Sequence, residues 1–256
     1  MRVLIYGHRG WIGQQIIEHL KILNVDNQYE YVCGEARVND VDVLEEEIKN
    51  TKPTHIISLV GRTHGGGIQT IDYLENHLYE NVRDNLFSPV VLAMLSKKYN
   101  FHLSYLGTGC IFEYEDLESV LKGSDYKQFD ESDKPNFIGS SYSIVKGFTD
   151  QLMHMTDTLN IRIRMPIVSK SNPRNFITKI TSYDKICSIP NSMTVLDELI
   201  PIMIDLMFKK HTGTINMVNP GIISHNEILQ INYAYFFLRF QFSFQNFAFC
   251  FSCFCF

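Results

Sequence analysis

Positive charge is scarce in this chain of 256 residues: 23 Lys and Arg stand against 28 Asp and Glu, for a net charge of -5 and a pI near 6.0. No Lys/Arg cluster interleaved with aromatics occurs, so nothing supplies the field that a phosphate backbone needs, and no nucleic-acid partner is expected. A long apolar run is also missing from the N-terminus. Val3-Leu4-Ile5-Tyr6 meets a glycine at once, too short for a secretory signal, and the protein is expected in the cytoplasm. The six cysteines form no disulfide framework, with Cys33, Cys110 and Cys187 scattered and Cys250, Cys253 and Cys255 crowded at the end. That terminal cluster lacks a second pair or a spaced histidine, and the nine histidines show no ligand spacing, so no metal is expected.

What is present is alternation. Short β-branched runs, among them Val3 to Tyr6, Tyr29 to Cys33, His55 to Val60, His102 to Leu106 and Ile161 to Met165, alternate with amphipathic stretches such as Trp11 to Leu23, Val41 to Lys49 and about Ser141 to Thr158. The rhythm implies six strands by residue 165 in an α/β, Rossmann-type, doubly wound parallel sheet. Residues 166–191 lose the rhythm and gain Pro, Asn and charge, as a substrate-side insertion would. A helix from Asp197 to Phe208 and a strand from Gly213 to Val218 return to the core. The expected organisation is therefore a dinucleotide-binding domain over 1–165, rejoined by about 192–218, with a small substrate lobe from 166–191 and 219–230.

Residues 231–256 differ in kind. Ten of the eighteen Phe fall there among Cys, Ser and Gln, a low-complexity tail. Arg239, Gln241, Gln245 and Asn246 interrupt it as a membrane span, and alternate Phe from Phe240 to Phe244 favours strand over helix. No membrane association is expected.

Gly7, Gly10 and Gly13 follow the first strand and open the first helix, so the backbone can approach a pyrophosphate at the positive helix end. The intervening Arg9, Trp11 and Ile12, together with Gly61, are assigned to the cofactor with them. Glu35 would serve a free ribose 2′-hydroxyl, whereas Arg37 and Arg9 would neutralise a 2′-phosphate, and the balance favours NADPH with NADH as the alternative. Tyr142 and Lys146, four residues apart, share a face at the start of a helix, where the ammonium can acidify the phenol and also bond the nicotinamide ribose. Thr108, ending a strand, would orient a carbonyl oxygen while Tyr142 protonates it as hydride arrives. Asn85 is expected to brace this site from its helix. Two amphipathic helices, one ending near Lys98 and one starting near Ser141, suit a homodimer contact.

Whole phrases then resemble one family: Gly7-His8-Arg9-Gly10-Trp11-Ile12-Gly13, Thr108-Gly109-Cys110-Ile111-Phe112-Glu113 and Arg164-Met165-Pro166. The same holds for 172–180, for 189–194, and for Asn219-Pro220-Gly221 with Ser224-His225-Asn226-Glu227. They look like the bifunctional UDP-4-keto-6-deoxyglucose 3,5-epimerase/4-reductases of UDP-L-rhamnose synthesis, extended short-chain dehydrogenases known from plants and giant viruses. The resemblance covers Met1 to about Leu229. It implies NADPH-dependent epimerisation at C3 and C5 of UDP-4-keto-6-deoxyglucose, then reduction at C4 to UDP-β-L-rhamnose. It also implies that Cys110 and Lys179 move the protons, and that Asn85, Arg174 and Asn175 bind substrate. The tail after about Leu229 does not resemble the family, and a reading-frame change in a pyrimidine-rich tract would account for it. Two alternatives stay open: a 4-reductase without epimerase activity, and an inactive dinucleotide-binding protein with a damaged substrate lobe.

Overall fold

The computed structural model describes residues 1–24, 28–124 and 126–242. Its strands are β1 (Arg2–Tyr6), β2 (Glu30–Cys33), β3 (His55–Ser58), β4 (His102–Thr108), β5 (Leu159–Ile163), β6 (Pro166–Ile167), β7 (Thr194–Val195) and β8 (Gly213–Asn216). Its α-helices are α1 (Trp11–Leu23), α2 (Val41–Thr51), α3 (Leu78–Val82), α4 (Ser88–Tyr99), α5 (Leu117–Lys122), α6 (Ser141–His154), α7 (Phe176–Ile180), α8 (Leu196–Phe208) and α9 (His225–Phe242). The chain forms two compact units. One comprises Met1–Glu113, Gln128–Ile163 and Glu198–Met217, the other Tyr114–Lys127, Arg164–Asp197 and Val218–Phe256.

In the first unit a six-stranded sheet runs in the order β2-β1-β3-β4-β5-β8, every neighbouring pair parallel. Helices cover both faces of such a sheet, so its middle strands read as unbroken apolar runs; Val3, Leu4, Ile5 and Ile56 are wholly inaccessible. The chain leaves β1 first toward β2 and then toward β3, and this reversal opens a crevice at the carboxyl ends of β1 and β3.

Five strands, not six, precede residue 165, and β8 fills the sixth place. The fifth begins two residues earlier than its apolar run suggests. Its register with β4, from Ser104↔Leu159 to Thr108↔Ile163, fixes it there, and Met165 departs at φ 40. Helix α6 stops at His154 rather than near Thr158, because Thr156 Oγ1 donates to the Met153 carbonyl at 2.8 Å and closes the last turn. The strand expected from Phe240 to Phe244 is overturned as far as Phe242, to which α9 extends; 243–256 lie outside the described residues. This helix starts from a reciprocal cap in which Ser224 N–H donates to Glu227 Oε2 at 2.8 Å and Glu227 N–H donates to Ser224 Oγ at 3.2 Å. Once nucleated, a helix gains a bond with each added residue. No helix among the described residues is long and apolar enough to cross a membrane.

The second unit pairs β6 with β7 and packs α7 against α9 around Ile180, Met193 and Ile228.

Between α3 and α4 the first unit carries a π-helical turn, Arg83–Phe87, whose origin is legible in the chain. Pro89 has no N–H to offer the Asn85 carbonyl four residues back, so the ladder shifts and Ser88 N–H bonds Arg83 O instead. The freed carbonyl is met from α6, where Thr149 Oγ1 donates to it at 2.6 Å in a fully buried position. At the opposite end of the sheet, His55 and His102 are buried cross-strand neighbours with ring centroids 5.7 Å apart. Both are held near pKa 4. For His55 the causes are burial, then His102 and Lys210; for His102 they are burial, then Lys210.

Thr149→Val keeps the shape and removes the donor, so the unfolding free energy should fall by about 1–3 kcal/mol. Urea midpoints at constant slope measure this, and an unchanged midpoint would mean the Asn85 carbonyl finds another donor. The unfolded state protonates its histidines near 6.5, while the native pair resists until about 4. Stability is therefore complete above the unfolded value and is lost as pH falls from 6.5 toward 4, by an amount on the order of 2 kcal/mol per histidine. Melting curves should show this loss in the wild type and a reduced loss in His102→Phe.

Candidate active site

The turn after β1 admits only glycine at two places. Gly7 adopts φ +80, and a Cβ there would lie 2.7 Å from the Leu59 carbonyl carbon; at Gly13 a Cβ would lie 2.4 Å from the Gly7 oxygen. Gly10 caps α1 with no side-chain hydrogen bond, and the first turn of α1 holds no acidic residue. The N–H groups and positive dipole end of α1 are thus left for an anion. A groove of about 410 Å³ opens here, lined by residues that include Gly7, His8, Arg9, Gly34, Arg37 and Gly61. A close backbone approach beside an unblocked helix end suits the pyrophosphate of a dinucleotide. Trp11 and Ile12 begin α1, half-buried and outside the groove lining.

The end of the groove at the loop after β2 is held by groups that motif reading did not find. Glu47 on α2 accepts from the N–H groups of Glu35 (2.7 Å) and Ala36 (3.2 Å), and from Tyr6 Oη at 2.7 Å. This fixes the loop after β2 on which Glu35 and Arg37 stand. Arg9 Nη2 meets Glu35 Oε2 at 2.6 Å, both side chains largely exposed. Such a surface pair contributes little stability. Its consequence is local: the Glu35 carboxylate is neutralised, and Arg37 adds a second cation to the same rim.

Asn85, presented by the π turn, holds backbone. Its Oδ1 accepts from Arg62 N–H at 2.9 Å, and its Nδ2 donates to Arg62 O at 2.9 Å and Asn81 Oδ1 at 2.8 Å. The side chain is fully buried, and it fixes the chain at Gly61 and Arg62. Gly61 is tight, since a Cβ would lie 3.1 Å from Asn85 Oδ1 and 3.3 Å from Lys146 Nζ. Arg62 is anchored in turn by Asp84 at 2.5 Å and Glu80 at 3.3 Å. Burial alone would raise the Asp84 carboxyl, but Arg83 and Arg62 outweigh it and hold it below its ordinary value.

The proton-transfer candidates gather beyond Gly61. Tyr142 and Lys146 are buried one turn apart on α6, with Nζ 6.0 Å from the Tyr142 ring centroid. Cys110, half-buried, packs against the cluster of Tyr73, Leu74 and Tyr142. Thr108 ends β4, and its Oγ1 accepts from Cys110 N–H at 3.1 Å, which leaves the hydroxyl proton for another acceptor. Lys146 is fully buried and held at about 8. Burial lowers it, while Asp150 and then Cys110 pull it back. Helix α6 is itself anchored by a buried ion pair between Asp150 and Arg162 of β5, at 2.6 Å. Arg162 Nη1 also donates to Asp130 O at 3.2 Å.

Arg174, Asn175 and Lys179 belong to the second unit. Asn175 is buried and its amide is occupied: Oδ1 accepts from Ile177 N–H at 3.3 Å to cap α7, and Nδ2 donates to the carbonyls of Val168 (2.8 Å) and Lys170 (3.1 Å). Its side chain shapes the loop that presents Arg174. Lys179, near the end of α7, is held below its ordinary value by burial and then by the charge of Arg174.

No family model matches the chain. The crystal structure of the UDP-rhamnose synthase from Acanthamoeba polyphaga mimivirus is similar over 90% of this chain and 79% of that one, at 54% identity and a TM-score of 0.83. The bifunctional dTDP-4-dehydrorhamnose 3,5-epimerase/dTDP-4-dehydrorhamnose reductase of Arabidopsis thaliana is 38% identical over 247 residues, 96% of this chain and 78% of the plant protein. A trifunctional UDP-glucose 4,6-dehydratase/UDP-4-keto-6-deoxy-D-glucose 3,5-epimerase/UDP-4-keto-L-rhamnose-reductase from the same plant is 40% identical over 250 residues, 97% of this chain and 36% of that protein. The chain therefore spans about a third of the trifunctional relative. With this identity over most of its own length and over three quarters of the mimivirus and bifunctional plant proteins, the chain belongs to the family of 3,5-epimerase/4-reductases that serve rhamnose nucleotide synthesis.

Proposed function

We propose that the chain epimerises UDP-4-keto-6-deoxyglucose at C3 and C5 and reduces the C4 ketone with NADPH, giving UDP-β-L-rhamnose. The observation that carries this reading is the gathering of Thr108, Cys110, Tyr142 and Lys146 in one unit with the glycine-lined groove. NADPH held there supplies the hydride. Arg9 and Arg37 favour it over NADH, because Arg9 pairs with the Glu35 carboxylate, which would otherwise repel a 2′-phosphate.

Protons at C3 and C5 are acidic because they flank the C4 ketone, and inversion needs one group to remove a proton and another to return it on the opposite face. Cys110 and Lys179 are assigned these tasks on the resemblance; burial, which favours the neutral amine of Lys179, supports its use as a base. Thr108 donates to the C4 oxygen, and Tyr142, beside the Lys146 ammonium, stabilises the enolate there and then protonates the oxygen as hydride reaches C4. Arg174 is assigned to the UDP diphosphate. Asn85 and Asn175 act by holding the loops at Arg62 and Arg174.

A homodimer is part of the proposal. Ile144, Phe148 and Leu152 along α6, and Met155 at its C-cap, are exposed at helical spacing, and Leu78, Tyr79, Phe87 and Met94 are exposed along the helix from Leu78 to Tyr99. A second copy of the chain offers the same two apolar faces to cover them.

Incubation with UDP-4-keto-6-deoxyglucose in deuterated buffer should place deuterium at C3 and C5 without NADPH, and NADPH should then give UDP-rhamnose faster than NADH does. Product NMR reads both steps. Absence of deuterium at both carbons refutes epimerisation, while deuterium without reduction refutes the second step. Cys110→Ala should slow the exchange by roughly 10²-fold or more with dinucleotide affinity unchanged. Light scattering should give twice the 29.7 kDa chain mass. Phe148→Glu should give a monomer; a monomeric wild type removes the dimer.

A further inference from the structure

Lys146 has a partner that the proposed reaction leaves unused. Tyr105 lies on β4, three residues before Thr108, wholly buried, and its hydroxyl oxygen accepts from Lys146 Nζ at 2.6 Å in a buried hydrogen bond. The same ammonium stands 5.0 Å from the centroid of the Tyr105 ring, nearer than to the ring of Tyr142. A strand residue in the middle of a parallel sheet is ordinarily aliphatic packing. A buried phenol there must find a partner for its oxygen, and here the partner is the ammonium.

We propose that Tyr105 is a positioning residue of the reductive step, holding Lys146 both in place and in its charged form so that Lys146 can act on Tyr142 and on the nicotinamide ribose. The proposal rests on the reductase reading given above. Its physical case is the inventory of groups around Nζ. From β4 and the turn beyond it come Tyr105 and Cys110; from α6 come Tyr142 and Asp150; from the π turn and the loop after β3 come only the neutral Asn85 and Gly61. The carboxylate among these, Asp150, is already engaged with Arg162 at 2.6 Å. A buried ammonium needs hydrogen-bond acceptors to keep its proton. Tyr105 supplies one, and its own deprotonation is pushed well out of range by burial and then by Tyr142 and Asp150, so it remains a neutral acceptor while Lys146 titrates. The bond also fixes direction. With Nζ tied to β4, the ammonium stays beside Gly61 and below the Tyr142 ring, where Lys146 left to itself has four rotatable bonds and other places to go.

The test is the pH profile of Tyr105→Phe, which keeps the ring and removes the acceptor. The alkaline limb of kcat for C4 reduction should move down by about one pH unit or more, with KM for the nucleotide sugar little changed. A packing role alone would lower Tm and leave the limb where it was, and that result overturns the proposal. 3-Fluorotyrosine installed at position 105 retains the shape and weakens the oxygen as an acceptor. It should give an intermediate limb, and a wild-type limb there overturns the proposal even if Tyr105→Phe does not fold. NADPH fluorescence titrations across pH read the Lys146–ribose contact without any sugar. If the wild type fails to reduce the keto sugar, the reductase reading fails by itself, and Tyr105 is still decided by whether loss of NADPH affinity at high pH begins about one unit earlier in the variant.

Discussion

The functional half of this molecule is arranged around one buried positive charge. Lys146 is buried away from bulk solvent, and that burial has brought it to about 8. Asp150, one turn along α6, and then Cys110 offset part of that burial, and the Tyr105 oxygen accepts a hydrogen bond from the ammonium at 2.6 Å. The first of these is shared. Asp150 also neutralises Arg162, whose guanidinium reaches the Asp130 carbonyl, so a run of alternating charges ties α6 to β5 and to the segment before α6. A helix anchored in this way cannot slide without separating a buried ion pair, which typically costs several kcal/mol. The placement of Tyr142 and Lys146 is therefore a property of the whole half-sheet rather than of the helix that carries them.

A second constraint reaches the same point from the other side. Pro89 interrupts a helix that would otherwise run unbroken from Leu78 to Tyr99, and the resulting π turn aims Asn85 at the backbone of Arg62. Thr149, one turn beyond Val145 on α6, satisfies the carbonyl that the proline leaves open. The helix pair is thus locked by the defect itself. Gly61 is tight, since a Cβ there would lie 3.1 Å from Asn85 Oδ1 and 3.3 Å from Lys146 Nζ. The placement of Asn85 against the Arg62 backbone thus traces to one proline and one threonine.

The strands and helices of the first unit were readable because their apolar periods are clean, and the glycine turn because its constraint is local: Gly7 must take a positive φ and Gly13 must clear the Gly7 oxygen. Tyr142 and Lys146 were readable as neighbours because helical spacing alone puts them on one face. Glu47, Tyr105 and the Asp150–Arg162 pair were not legible, since each of these contacts joins positions 12 to 41 apart in the chain. Nothing in local spacing marks a tyrosine in an apolar strand as a lysine's acceptor. The miscounted sixth strand and the late start given to β5 have a similar cause. An apolar run fixes that a strand exists, while hydrogen-bond register with β4 and β8 fixes where it begins and ends. At Asn85 and Asn175 residue type suggested a ligand contact, and the structure shows amides occupied by backbone. An asparagine beside a site has the same donor and acceptor whether it faces a sugar or a carbonyl, so sequence does not separate the two.

The proposed chemistry makes unequal demands on these groups. Proton removal beside a ketone needs its negative charge stabilised at the C4 oxygen, and reduction needs the same oxygen protonated; both ask for donors at one point. Thr108 is prepared for this in the resting protein, since its oxygen already accepts from the Cys110 N–H and its proton is the part left to give. That one contact also sets the backbone of Cys110 relative to the donor. The two-residue spacing of Thr108 and Cys110 at the end of β4 thereby becomes a mechanical link: the Thr108 hydroxyl and the Cys110 backbone are held to one another, so a shift of the strand end moves both together and leaves their mutual relation intact.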